Sequence, residues 1–138
     1  MYGSLDISVS GMVAQRTRMD VISANIANQN ATRNAQGEPV PFRRRIAIFE
    51  PGDPSSSNAR GRGKGVHVSE IELDESPFQR MYDPNHPDAR EDGYVLTPNI
   101  NPAIENVNML EASRAYEANV VAAEASKTML GQALRLLA

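Results

Sequence analysis

ISANIANQNATR, residues 22–33, ends a run of helical periodicity on three asparagines, Asn25, Asn28 and Asn30. Upstream of it Leu5, Met12, Met19 and Ile26 recur every seventh residue, with Val9 and Ile22 filling alternate positions and Ser8 and Gln15 interrupting them. That spacing is the heptad seam of a helix packed against another helix. An amide beside the seam, as Asn25 is beside Ile26, can bond across helices and set their register at some expense in stability. Asn28 and Asn30 fall where the helix should stop, and asparagine tolerates the left-handed conformation that closes helices. For these two, simple capping and reading of a neighbour fit equally well. Asn119, next to Val120 in the C-terminal region, is a candidate partner for one of the three.

Proline divides the rest of the chain. All nine prolines lie between Pro39 and Pro102, so both ends are free to be helical and the middle is not. At the C-terminal end Met109, Tyr116, Ala123, Leu130 and Leu137 repeat the heptad, joined by Val120 and Leu134, while Ser113 and Lys127 break the alternate row. Alanine, leucine, glutamate and methionine dominate residues 109–138, and all are strong helix formers. The middle reads as strands and turns. Residues 45–50 and 65–75 alternate, the second with a one-residue slip near Ser69 that suggests a bulge; a short strand is expected around Tyr94–Leu96. Residues 51–65, PGDPSSSNARGRGKG, read as a flexible hairpin connection. The expected class is α+β: long N- and C-terminal helices paired as an antiparallel coiled coil, with a small central β-rich module. The divisions are 1–35, 36–102 and 103–138.

The 138 residues carry a formal charge of −3, which demands neither nucleic acid nor an anionic membrane as partner. Cysteine is absent, removing disulfides, thiolate zinc sites and a cysteine nucleophile together. The N-terminus, MYGSLDISVSGM, has no cationic leader and an early Asp6, and no stretch reaches the length of a membrane span. A protein of this kind that leaves the cytoplasm is expected to do so with its N-terminus intact. Charge is segregated in the middle: residues 33–65 sum to +4 and residues 66–92 to −6. Such a part suits association with sibling subunits, through Arg43, Arg44 and Arg45 against Glu70, Glu72 and Asp74 as candidate inter-subunit contacts. A solvated surface with pairs inside the chain fits the same numbers.

No catalytic set emerges. His67 and His86 sit in a strand and in a proline-bracketed turn, without metal-ligand spacing. DPNHPDAREDG (83–93) departs from a calcium loop at Pro87 and at its missing terminal glutamate, and reads as a turn. In ARGRGKGV, Lys64 is followed by Gly65 rather than serine or threonine, so the phosphate-loop match fails. No enzyme activity, cofactor or metal is expected. Burying a large apolar side chain contributes about 1.5–3 kcal/mol, against about 1–2 kcal/mol of backbone entropy per ordered residue, so an isolated two-helix coil is marginal. Apolar residues off the seam (Val13, Val21, Leu110, Val121, Leu136) suggest a second face to be covered by neighbours; a helical hairpin packed on its own β module is the alternative.

NIANQNATR after an amphipathic helix, with ASRAYEAN near the C-terminus, resembles the rod, hook and hook-associated axial proteins of the bacterial flagellum. The stretch from Tyr82 to Asn119 narrows the resemblance to the basal-body rod proteins, with Phe42 where tyrosine is commoner and Asn106 where methionine is usual. The resemblance implies a non-enzymatic subunit of the proximal rod, which crosses the periplasm and transmits motor torque. It also implies export through the flagellar type III apparatus without signal cleavage, and self-association in a helical assembly alongside FlgB, FlgF, FlgG and the FliE adapter. Residues 5–27 and 103–137 are then the assembly segments, with an interface of Leu5, Val9, Met12, Met19, Ile22, Asn25, Ile26, Asn28, Met109, Tyr116, Asn119, Val120, Leu130, Leu134 and Leu137. Two other readings share features of this layout. One is a secreted helical effector or translocator; the other is a nucleic-acid-binding module using Arg43–Arg45 and Arg60–Lys64, whose affinity would fall steeply with salt.

Overall fold

The computed structural model of the chain describes residues 2–52 and 65–137. Its elements are α1 (Tyr2–Ala27), β1 (Arg45–Pro51), β2 (Val66–Leu73), β3 (Gln79–Tyr82), β4 (Tyr94–Thr97) and α2 (Pro102–Leu137). This is the expected α+β class, with two long terminal helices and two two-stranded sheets, β1–β2 and β3–β4. The expected hairpin connection, with Arg60, Arg62 and Lys64, falls mostly on residues 53–64, outside those described.

Contacts divide the chain into two units, and both helices contribute to each. The first is Met1–Met19, Ala47–Ile71 and Leu110–Ala138; the second is Asp20–Ile46 and Glu72–Met109.

In the first unit the helices run antiparallel. Gly11 faces Asn119 so closely that an added Cβ would lie 2.7 Å from Asn119 Oδ1. Seven residues on, Arg18 pairs with Glu111 at 3.4 Å, eight residues back along α2. In this register Tyr2 lies opposite Thr128, and residues 129–137 of α2 run past the described end of α1. Sheltered positions on α2 in this unit include Ala112, Tyr116, Asn119, Ala123, Ser126, Leu130 and Ala133, in alternating steps of four and three, with Ser113, Ala115 and Val120 half-buried beside them. The row Tyr116, Ala123, Leu130 was expected. The other expected row holds in part, with Ser113 and Val120 half-buried but Lys127 and Leu134 exposed, and a line one residue earlier, through Ala112, Asn119, Ser126 and Ala133, is sheltered throughout. On α1 Ser8, Gly11 and Ala14 are buried, while Met12, Gln15, Arg18 and Met19 are half-buried, so the expected row through Met12 and Met19 flanks a closer line through Gly11. The reason is size: small residues let the two backbones approach, and the bulkier methionines are displaced to the flanks.

The β1–β2 hairpin carries one extra residue on β2. The N–H of Asp74 donates to Arg44 O and that of Gly52 to Gly65 O, so β1 counts eight steps while β2 counts nine. The surplus lies between Gly65 and Asp74, the interval in which a bulge was expected. In the first unit the strand is also tied to α1, since the Val66 N–H donates to Ser10 Oγ at 3.1 Å.

The second unit holds most of the buried apolar side chains. Val21, Ile22, Val95 and Ile100 are buried here, whereas in the first unit the buried apolar residues described are Ala14 and Ala112. Val21, expected on an outward face, is therefore core. β3 and β4 pair antiparallel from Gln79↔Thr97 to Tyr82↔Tyr94. Periodicity revealed β4 but not the four-residue β3. Gly93, at φ +78°, closes the intervening turn, where a Cβ would meet the Tyr82 ring at 2.9 Å. α2 begins on Pro102, with Asn101 Oδ1 accepting the Ala103 N–H at 3.0 Å, an asparagine cap followed by proline at the first helical position.

Candidate assembly interface

Asn25 is the centre of a buried polar knot in the second unit. It is 0% exposed, as is Glu105. Its Nδ2–H groups donate to Arg45 O at 2.8 Å and to Glu105 Oε2 at 3.0 Å, and its Oδ1 accepts the Arg45 N–H at 2.9 Å. Arg44 Nε donates to the other Glu105 oxygen at 2.7 Å, and Arg44 Nη1 lies 3.3 Å from Asp74 Oδ2. Asn99 Oδ1 accepts the Arg44 N–H at 2.9 Å, while its Nδ2 donates to the Asp74 and Ser76 carbonyls. Helix, strand entry and helix are thus joined by bonds in which each partner satisfies the next, the condition under which buried polar groups are tolerated.

The knot corrects three expectations. Asn25 does bond across helices, but to Glu105 and the Arg45 backbone; Asn119 instead donates to Ala115 O within its own helix. Asn28 does not close α1 in a left-handed conformation, because no described non-glycine residue has positive φ. It donates its side chain to Ala24 O at 2.8 Å, and the chain leaves through tightened i→i+3 turns. The basic run is engaged inside the chain: Arg44 as above, Arg43 on the Asp74 and Ser76 carbonyls and over the Phe78 ring, and Arg45 over Phe42. Glu70 and Glu72 remain exposed.

Glu105 carried no signal in a search for apolar repeats. A search for small and polar residues at seven-residue spacing would have found it, since 105, 112, 119, 126 and 133 are Glu, Ala, Asn, Ser and Ala.

Two carboxylates of the second unit titrate low. Ser76 bonds, side chain and backbone, hold Asp74 below the usual carboxylate range, with Arg44 adding to the effect. Asp88 is held low first by the Arg33 guanidinium, at 2.6 Å, and then by Thr32.

The first unit presents a different surface. Gln15 Oε1 is buried without a hydrogen-bond partner in the seam. Val9, Val13, Leu110, Val121 and Met129 point outward, as do Leu134, Leu136 and Leu137 on the overhanging end of α2. Val13 is 61% exposed and Leu136 88%. Of the expected interface residues in this unit, Leu5, Met12, Met19, Tyr116, Asn119, Val120 and Leu130 are half-buried and Val9, Leu134 and Leu137 exposed. In the second unit, Ile22 and Asn25 are buried and Ile26, Asn28 and Met109 half-buried. Apolar side chains at this density on two helical elements exceed the scattered exposure of ordinary surfaces.

Residues 5–36 match the family described as flagella basal body rod protein, and residues 91–136 match the flagellar basal body rod FlgEFG protein C-terminal family. The chain is 43% identical to the flagellar basal-body rod protein FlgC of Bacillus subtilis (strain 168), covering 98% of this chain and 97% of that protein. It is 41% identical to FlgC of Borreliella burgdorferi, over 99% and 97%, and 40% identical to FlgC of Aquifex aeolicus, over 92% and 90%.

Proposed function

The chain belongs to the FlgC family of flagellar basal-body rod proteins and is a structural subunit of the rod; from that premise we propose that it polymerises through its terminal helices into the shaft that crosses the periplasm and carries motor torque. The single observation behind the polymerisation is the outward apolar face of the first unit, which a lone chain leaves in water. Each large side chain covered there contributes about 1.5–3 kcal/mol to association. Helices packed on several sides resist bending and twisting, as a torque-bearing shaft requires. Heterologous contacts that do not close into a ring generate a helical tube.

In this reading residues 5–27 and 103–137 are the assembly segments, and 36–102 form the module carried with them. Its neighbours are copies of itself and the axial proteins FlgB, FlgF, FlgG and FliE, reached after passage through the flagellar export apparatus without signal cleavage. It acts without catalysis. Deleting its gene should abolish swimming and stall the basal body at the earliest rod stage, and re-expression should restore both. A deletion strain that still builds rods would overturn the reading.

A further inference from the structure

In the first unit α1 and β2 enclose an apolar groove of 880 Å³, its walls including Val9 and Val13 on one side and Val66, Val68 and Ile71 on the other. We propose that this groove receives the C-terminal end of α2 from a second copy of the chain, so that subunits join tail to groove.

The groove follows α1 from Asp6 to Thr17, twelve residues, or about 18 Å of helix. The overhang from Met129 to Leu137 is about 13 Å long. Leu130, Leu134 and Leu137 stand at i, i+4 and i+7 on it, the anchor spacing of a helix laid in an apolar groove. Charge agrees as well. Asp6 and Glu70 line the groove, and the overhang brings Arg135 next to the leucine row. A chain cannot serve itself in this way. α2 is one unbroken helix, and its register carries the overhang past Tyr2, away from the stretch between Asp6 and Thr17. Tail and groove are different surfaces, so each docked copy leaves one of each free and the contact propagates.

The proposal rests on the rod-subunit reading for its setting but is tested in solution on the full chain. The protein lacks cysteine, so paired substitutions report cleanly. Val13→Cys and Leu134→Cys copies, mixed at high concentration and oxidised, should cross-link about tenfold more than Val13→Cys mixed with Val121→Cys, because docking raises the local concentration of the pair. A chain carrying both substitutions should form a ladder of multimers. Asp6→Arg in the groove copy should reduce the yield, and Arg135→Asp in the tail copy should restore it. Cross-linking no greater than the control pair, or indifferent to both charge reversals, overturns the docking. Either result from a chain that still restores swimming leaves the rod assignment standing, whereas a deletion strain that swims removes the assignment and not the contact.

Discussion

The two units hold the same pair of helices by opposite means. In the second, Asn25, Glu105, Arg44 and Asn99 exchange directional bonds, and Val21, Ile22, Val95 and Ile100 supply a core. In the first, the seam is centred on Ser8, Gly11, Ala14, Ala112 and Asn119, and Val9, Val13, Leu110, Val121 and Met129 face away from it. One region satisfies its requirements within a single chain. The other obtains close helix approach by placing small residues inside, which forces its hydrophobic residues to the outside. A subunit of an assembly has use for both: a region closed on itself, and a region that leaves apolar surface uncovered.

The largest expected effect tests the knot. Glu105→Ala leaves the Arg44 Nε–H without its carboxylate in a sheltered site and should cost about 3 kcal/mol in denaturant unfolding. Glu105→Gln, which keeps an acceptor for Arg44 but turns an N–H group toward the donating Asn25 Nδ2, should cost less, about 2 kcal/mol. Equal losses for the two would break the contrast, because charge and directionality would then be doing nothing that packing does not.

Next comes the seam of the first unit. Gly11→Val pushes a branched side chain onto Asn119 and should destabilise by about 1–3 kcal/mol as the helices part. Asn119→Ala in the same chain should recover much of that loss, a coupling read from the double-mutant cycle. Additive losses would show that the close approach is not the constraint.

A smaller effect of opposite sign is expected at Gln15. Its orphaned Oε1 is a residual cost in the first unit, and Gln15→Met should raise stability by about 1 kcal/mol, seen as a higher denaturant midpoint.

The smallest effect separates the units by pH. Asp74 and Asp88, both in the second unit, have native pKa values depressed below those of the unfolded chain. Their contribution is complete above the unfolded value of about 3.9 and is lost as pH falls through the lower native values. Unfolding followed from pH 6 downward should therefore show stability falling once pH drops below about 4. Asp88→Asn should flatten part of that slope, while Glu111→Gln, which removes the exposed 3.4 Å ion pair of the first unit, should barely change it.

Much of this was legible in the residues. The exclusion of proline from both ends located both helices, and the row through Tyr116 and Ala123 placed one side of the seam. The placement of Asn25 as a cross-helix amide survived, though its partners did not. The closest line of the seam was missed because hydrophobic periodicity searches for large apolar residues, and Gly11, Ala112 and Ser126 are neither large nor strongly apolar. β3 was missed because four residues, QRMY, form a strand only against Tyr94–Thr97; alone they show no useful alternation.

By itself, then, the sequence determined where the chain is helical, where it turns, that it carries more apolar surface than two helices can hide in each other, and which family it resembles. Only the tertiary structure decided which face of each helix turns inward, that Glu105 answers Asn25, and that the arginine run is spent inside the chain. The physical reason is that backbone propensity and spacing are local properties, whereas a seam of small and polar residues is chosen by the distance between two backbones, which no single segment records.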